Sequence, residues 1–78
     1  MDEILGMIKL FGGNFAPQGW VLCNGGLLSI MENQAVYAIV GNKFGGDGRT
    51  NFAVPKLDSP LDGTIYVMCV NGVYPSRP

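Results

Sequence analysis

Residues 64–70 read Thr-Ile-Tyr-Val-Met-Cys-Val. The run is rich in β-branched and aromatic residues and free of Gly and Pro, the composition of a strand. After Thr64 it is apolar on both faces, so it needs cover on both sides. That suits the centre of a sheet or a strand covered by a partner. Asp62-Gly63 before it and Asn71-Gly72 after it are turn signals.

Working outward, Gly6-Met7-Ile8-Lys9-Leu10-Phe11 reads as a first strand. Residues 12–19 hold three Gly, one Asn and one Pro, which predicts a tight ordered loop. Phe15 is expected to pack back from that loop onto the core. Residues 20–23 form a second strand. Asn24-Gly25-Gly26 is a hairpin signal, and residues 27–30 are its expected return strand. One helix follows near residues 32–40. Ser29 and Glu32 have capping-box spacing, and Asn33 is a second candidate cap. Val36, Ile39 and Val40 share one helical face, and Gly41-Asn42 supplies the stop. Two turns of helix cannot stand alone, so this one must lie on a sheet. Phe44 to Thr50 is a glycine-rich loop, and Phe52 to Val54 is a short extended piece ending at Pro55. The expected fold is a small single α+β domain over residues 1–78, with short strands, a hairpin and one short helix. Pro75-Ser76-Arg77-Pro78 is too Pro-rich to extend the sheet.

The chain has 78 residues, 47% of them hydrophobic and only 14% charged, against about 25% charged in ordinary domains. Five basic and six acidic side chains cannot cover a globule. Its surface is either unusually neutral or covered by other chains. A net charge of −1 gives no basic stripe for nucleic acid. No stretch approaches the ~20 apolar residues of a membrane span. The acidic start, Met1-Asp2-Glu3, is unlike a secretory leader, so synthesis in a reducing cytoplasm is expected. Cys23 and Cys69 each sit in an apolar run and read first as small buried hydrophobes, with a bridge between neighbouring strands as the other reading.

Few residues offer chemistry. The chain has no His, which removes the commonest general base and metal ligand. In the glycine loop, Gly46 is followed by Asp47 and Gly48 by Arg49, so the Lys-Ser/Thr of a phosphate loop is missing. The glycines then supply unusual backbone angles. Asp47, Asp58 and Asp62 are isolated carboxylates without the alternation of a calcium loop. Ser29, Ser59 and Ser76 have no His to activate them. The expectation is no catalytic residue, no cofactor and no metal. Phe15, Trp20, Tyr37, Phe44, Phe52, Tyr66 and Tyr74 could make a sugar platform, though most suit a core. Phe15, Pro17 and Trp20 are expected to lock the first loop onto the sheet, with the indole N–H hydrogen-bonded.

The run Gly13-Asn14-Phe15-Ala16-Pro17-Gln18-Gly19-Trp20, followed by Cys23-Asn24-Gly25 and Leu27-Leu28, resembles the phage tail collar domain. It is also similar to the bacterial microcystin-dependent proteins that share that domain. The likeness continues through Asn33, Ala35, Tyr37, Ile39 and Gly41 to Phe44-Gly45-Gly46-Asp47-Gly48-Arg49-Thr50, Phe52 and Val54-Pro55. Residues 70–77 resemble the end of many longer members. Family members usually continue after the Pro with Asp-Leu-Arg-Gly-Arg and a long variable section. Here Pro55 leads through Lys56-Leu57-Asp58-Ser59-Pro60-Leu61-Asp62-Gly63 straight to the final strand. The section that carries receptor-binding heads and metal in longer fibres is missing, so the resemblance implies neither here.

The resemblance implies a structural virion component of a phage tail fibre, or of a phage-derived contractile injection particle and its baseplate. It also implies a homotrimer. Ile4, Leu5, Met7, Tyr66 and Met68 are the expected contacts with further copies or with other tail, fibre or baseplate proteins. The alternative is a small adhesin that binds a surface glycan through exposed aromatics. An enzyme is not expected.

Overall fold

The computed structural model describes residues 3–75. Its strands are β1 (Ile8–Phe11), β2 (Trp20–Leu22), β3 (Leu27–Ser29), β4 (Asn51–Ala53) and β5 (Ile65–Cys69). A 3₁₀ turn at Met31–Asn33 leads into the one helix, α1 (Gln34–Val40). Five strands in two sheets with one short helix make a small α+β fold, as the sequence implies.

The last strand is the centre of the larger sheet, whose order is β1-β5-β2. Both pairings are antiparallel, with Ile8 and Val21 on either side of Met68, and Lys9 and Leu22 on either side of Val67. Consecutive residues of β5 face opposite ways, yet Val67 is 2% exposed and Met68 and Cys69 0%. The two-faced apolar pattern therefore reports a central strand.

The second sheet pairs β3 with β4, with Leu28 opposite Phe52. Asn24-Gly25-Gly26 accordingly does not close a hairpin between β2 and β3, which lie in different sheets. The turn itself forms: Gly25 has φ +82°, and the Asn24 Oδ1 accepts the Gly26 N–H at 3.0 Å. Its work is to carry the chain from one sheet to the other. The pairing partners come from much later in the chain. Residues 54–57 run beside this crossing, with Val54 N–H donating to the Gly26 carbonyl and Leu57 N–H to the Cys23 carbonyl. Asn24 and Lys56 form an antiparallel bridge between them.

The Ser29 hydroxyl accepts the Glu32 N–H at 3.4 Å, so the capping-box spacing serves the 3₁₀ turn and not α1. Asn33 does not cap α1 with its side chain; its amide donates back to the Ser29 carbonyl. Gly41, at φ +61°, ends the helix and donates its N–H to the Tyr37 carbonyl.

Val36 and Val40 turn one face of α1 into the core, with Ile39 packed alongside. They meet Leu5, Cys23, Phe52, Val54, Met68 and Cys69. The Tyr37 and Phe52 rings pack tilted, 5.2 Å between centroids. Cys23 and Cys69 are free buried thiols, as the first reading of both has it. Ile4 and Val73 lie side by side in a parallel bridge. The expectations for Met1, Asp2, Ser76, Arg77 and Pro78 fall outside the described residues.

Candidate functional site

The Phe44–Thr50 loop folds back on β4. Gly45, Gly46 and Gly48 take φ values of +130°, +92° and +72°, a region side chains rarely adopt. The Gly45 carbonyl accepts the Ala53 N–H, and Gly48 N–H donates to the Asn51 carbonyl. Asn51 Oδ1 accepts the Asp47 N–H at 3.0 Å.

The Asp47 carboxylate sits at the middle. Its Oδ1 accepts the N–H groups of Arg49, Thr50 and Asn51 at 2.8, 2.9 and 3.1 Å. Its Oδ2 accepts the Thr50 hydroxyl at 3.0 Å. These donors, the backbone ones foremost, hold the carboxyl well below the usual carboxylate range. Convergent N–H groups of this kind ordinarily cradle an external anion. Here the chain's own carboxylate takes them, so the loop is a fastener and not a phosphate site.

The other block, residues 13–20, is fastened at its end. The Gly19 carbonyl, at φ +88°, accepts both the Val70 and Asn71 N–H groups. Trp20 N–H donates to the Pro17 carbonyl, and Trp20 stands opposite Cys69 in the sheet. A Cβ on Gly13 would lie 2.6 Å from the Phe11 ring. Ala16 and Pro17 are half-buried and Asn14 is exposed. Phe15 differs from expectation: it is 66% exposed. The lock is made by backbone hydrogen bonds at Gly19, which leaves the Phe15 ring free to face outward. Trp20 is half-buried against the core, and its indole N–H has no partner among the described residues.

The remaining candidates do not converge. Pro55 is buried beside Val54. Asp58 and Asp62 are exposed, and no three His, Cys, Asp or Glu side chains gather among the described residues. The Ser59 hydroxyl closes its own turn with Thr64 and the Leu61 carbonyl. Of the aromatics, Phe52 is buried and Trp20, Tyr37 and Tyr66 are half-buried. Phe15, Phe44 and Tyr74 are exposed on three separate segments.

Among the expected contacts, Ile4 and Met7 are exposed and Tyr66 is half-buried. Leu5 and Met68 are not on the surface, at 7% and 0% exposure. Both lie in the core with Val36, Val40 and Phe52. The apolar surface lies instead along the edge strand, where Ile8 and Leu10 are exposed.

A family model for the phage tail collar domain matches residues 6–60. The chain belongs to the phage tail collar domain family. Comparison with curated proteins and with solved structures gives no significant match. Membership gives this collar domain a structural role associated with phage tail fibres, as a component of the virion tail. The matched range holds both fastened loops, α1 and four of the strands, while β5 lies beyond it. The collar motif therefore builds the frame, and a strand outside it fills the central slot.

Proposed function

We propose that residues 1–78 act as one collar module that works only as a repeated subunit of a phage tail or a tail-like contractile injection particle. The position is its fibre, tip or baseplate, and the closed form is a homotrimer. The observation that carries this is the surface. Ile4, Met7, Ile8, Leu10, Phe15 and Leu27 are among the large hydrophobic side chains left open to water, and contiguous apolar surface marks a protein contact.

The β1 edge supports the same reading. Cys69 N–H donates to the Met7 carbonyl. By antiparallel alternation, the backbone groups of Ile8 and Leu10 point away from β5, where no described strand pairs with them. Ile4, Met7, Ile8 and Leu10 give this edge an apolar lining. Such an edge is a template for another chain. Lys9 on this strand is held by the Glu3 carboxylate, so the edge offers a partner its backbone groups and apolar side chains and not a free charge. A cyclic assembly meets them with a different surface of the next copy.

Sedimentation and native mass measurement of the full chain test the reading. A trimer is expected, and Ile8→Glu should yield a folded monomer with an unchanged far-UV spectrum. A stable monomer at high concentration, with no affinity for tail proteins encoded beside it, overturns the reading. Saturable sugar binding by that monomer would favour the adhesin.

A further inference from the structure

The first and last described segments are fastened to each other. Val73 N–H donates to the Glu3 carbonyl at 2.8 Å, and Leu5 N–H donates to the Val73 carbonyl at 2.9 Å. Gly6 N–H donates to the Cys69 carbonyl, and Cys69 N–H to the Met7 carbonyl. Met7 N–H closes a turn on the Ile4 carbonyl. That turn sends Leu5 into the core and leaves Ile4 and Met7 exposed. Glu3, Ile4, Leu5 and residues 70–73 all lie outside the matched range.

We propose that residues 3–7 are a latch that opens as a unit while the rest of the fold stays closed, and that Gly72 is its catch. A Cβ on Gly72 would fall on the Glu3 carbonyl oxygen and lie 3.0 Å from the Cys69 Sγ. A backbone carbonyl cannot swing aside as a side chain does. The latch therefore shuts only over a residue with no side chain. It is held by four backbone hydrogen bonds to residues 69–73 and by one core side chain. The exposed Lys9–Glu3 ion pair adds little. Opening leaves Val36, Val40, Phe52, Val54 and Met68 packed together. It also leaves Val70 and Asn71 on the Gly19 carbonyl. A local opening of this kind costs less than global unfolding.

The two thiols lie on different sides of this boundary. The Cys69 thiol sits beneath Gly72 and donates to the Asn71 carbonyl at 3.6 Å. Cys23 is held at the crossing between the sheets, with its N–H on the Tyr66 carbonyl and its own carbonyl on the Leu57 N–H. Opening uncovers Cys69 and leaves Cys23 covered. The latch also carries Ile4 and Met7, two of the apolar side chains that line the β1 edge. On the assembly reading, on which this consequence alone rests, the edge is complete only when the latch is shut.

Labelling of the full chain with a water-soluble maleimide tests the latch. Gly72→Ala should speed labelling of Cys69 by roughly tenfold or more, the worth of one or two hydrogen bonds, and leave Cys23 at the native rate. Equal acceleration of both thiols, or of neither, would overturn the proposal. Hydrogen exchange of the native chain decides the same point without a variant. The Leu5, Gly6 and Val73 amides should share one opening constant, larger than that of the Cys23 and Val54 amides. One constant for all five would overturn the latch. Native mass separates this from assembly. Selective Cys69 labelling with a monomeric native chain keeps the latch and removes the assembly reading. A trimeric native chain whose variant labels selectively and stays trimeric removes only the control over the edge.

Discussion

Gly46 lies so close to the backbone of Phe52 that a Cβ on the glycine would sit 2.5 Å from the Phe52 Cα. The glycine also has φ +92°. The loop can close on β4 only because this position has no side chain. Gly46→Ala should therefore cost at least ~2 kcal/mol, from left-handed backbone and contact together. Gly12 has open space around it, and Gly12→Ala should stay within ~0.5 kcal/mol. Denaturant midpoints at constant slope measure both.

The Asp47 carboxyl titrates lower in the folded chain than in the unfolded one, because four donors converge on it. A depressed folded pKa adds stability above the unfolded value of ~3.9 and loses it as pH falls below that. The melting difference between the native chain and Asp47→Asn should be full at neutral pH. It should shrink steadily as pH drops below about 4. A difference that does not change with pH would show that the charge is not what fastens the loop.

Phe52 is wholly buried in the core, while Trp20 is half-buried against it. Phe52→Ala should cost ~3–5 kcal/mol, on the scale of the whole stability of a small domain. Trp20→Ala should cost less, ~2 kcal/mol. Thermal melts of the two variants beside Phe52→Leu give the order.

Burial pushes the Cys23 thiol up from its ordinary value, and Cys69 is covered as well. Neither should react with a soluble thiol reagent in the folded state. Both should react on addition of denaturant. Rapid labelling of either one without denaturant would place it on a surface.

Patterns that depend on neighbours in sequence were legible in the chain. The helical spacing of Val36, Ile39 and Val40, the stop at Gly41 and the two-faced run of β5 all form as read. What failed depends on partners far along the chain. Asn24-Gly25 has hairpin chemistry, but whether a turn closes a hairpin depends on where the two strands find mates. Those mates are β5 and β4, tens of residues later. Phe15 reads as core because it is an aromatic among turn formers, in a loop that needs an anchor. Its loop is held by the Gly19 carbonyl instead, and backbone hydrogen bonds leave no trace in residue type. Met68 and Leu5 read as contacts because they lie in apolar runs where a free domain would want polar residues. Which of them lies inside is a matter of three-dimensional packing. The Asp47 fastener was half-legible: the residue stood out, but its three backbone donors carry no side-chain signature.

The central place of β5 has a consequence for the birth of the molecule. As the ribosome releases the chain, β1 and β2 emerge with nothing between them, and neither can pair with the other in the final arrangement. The larger sheet stays unmade until Ile65–Cys69 leaves the exit tunnel and inserts between two waiting strands. Folding thus waits on a strand that follows both its neighbours in the chain, so it is governed by long loops and slower than local helix formation. Until then the apolar strands stand open, and the growing chain depends on its cellular surroundings to keep them apart from their neighbours.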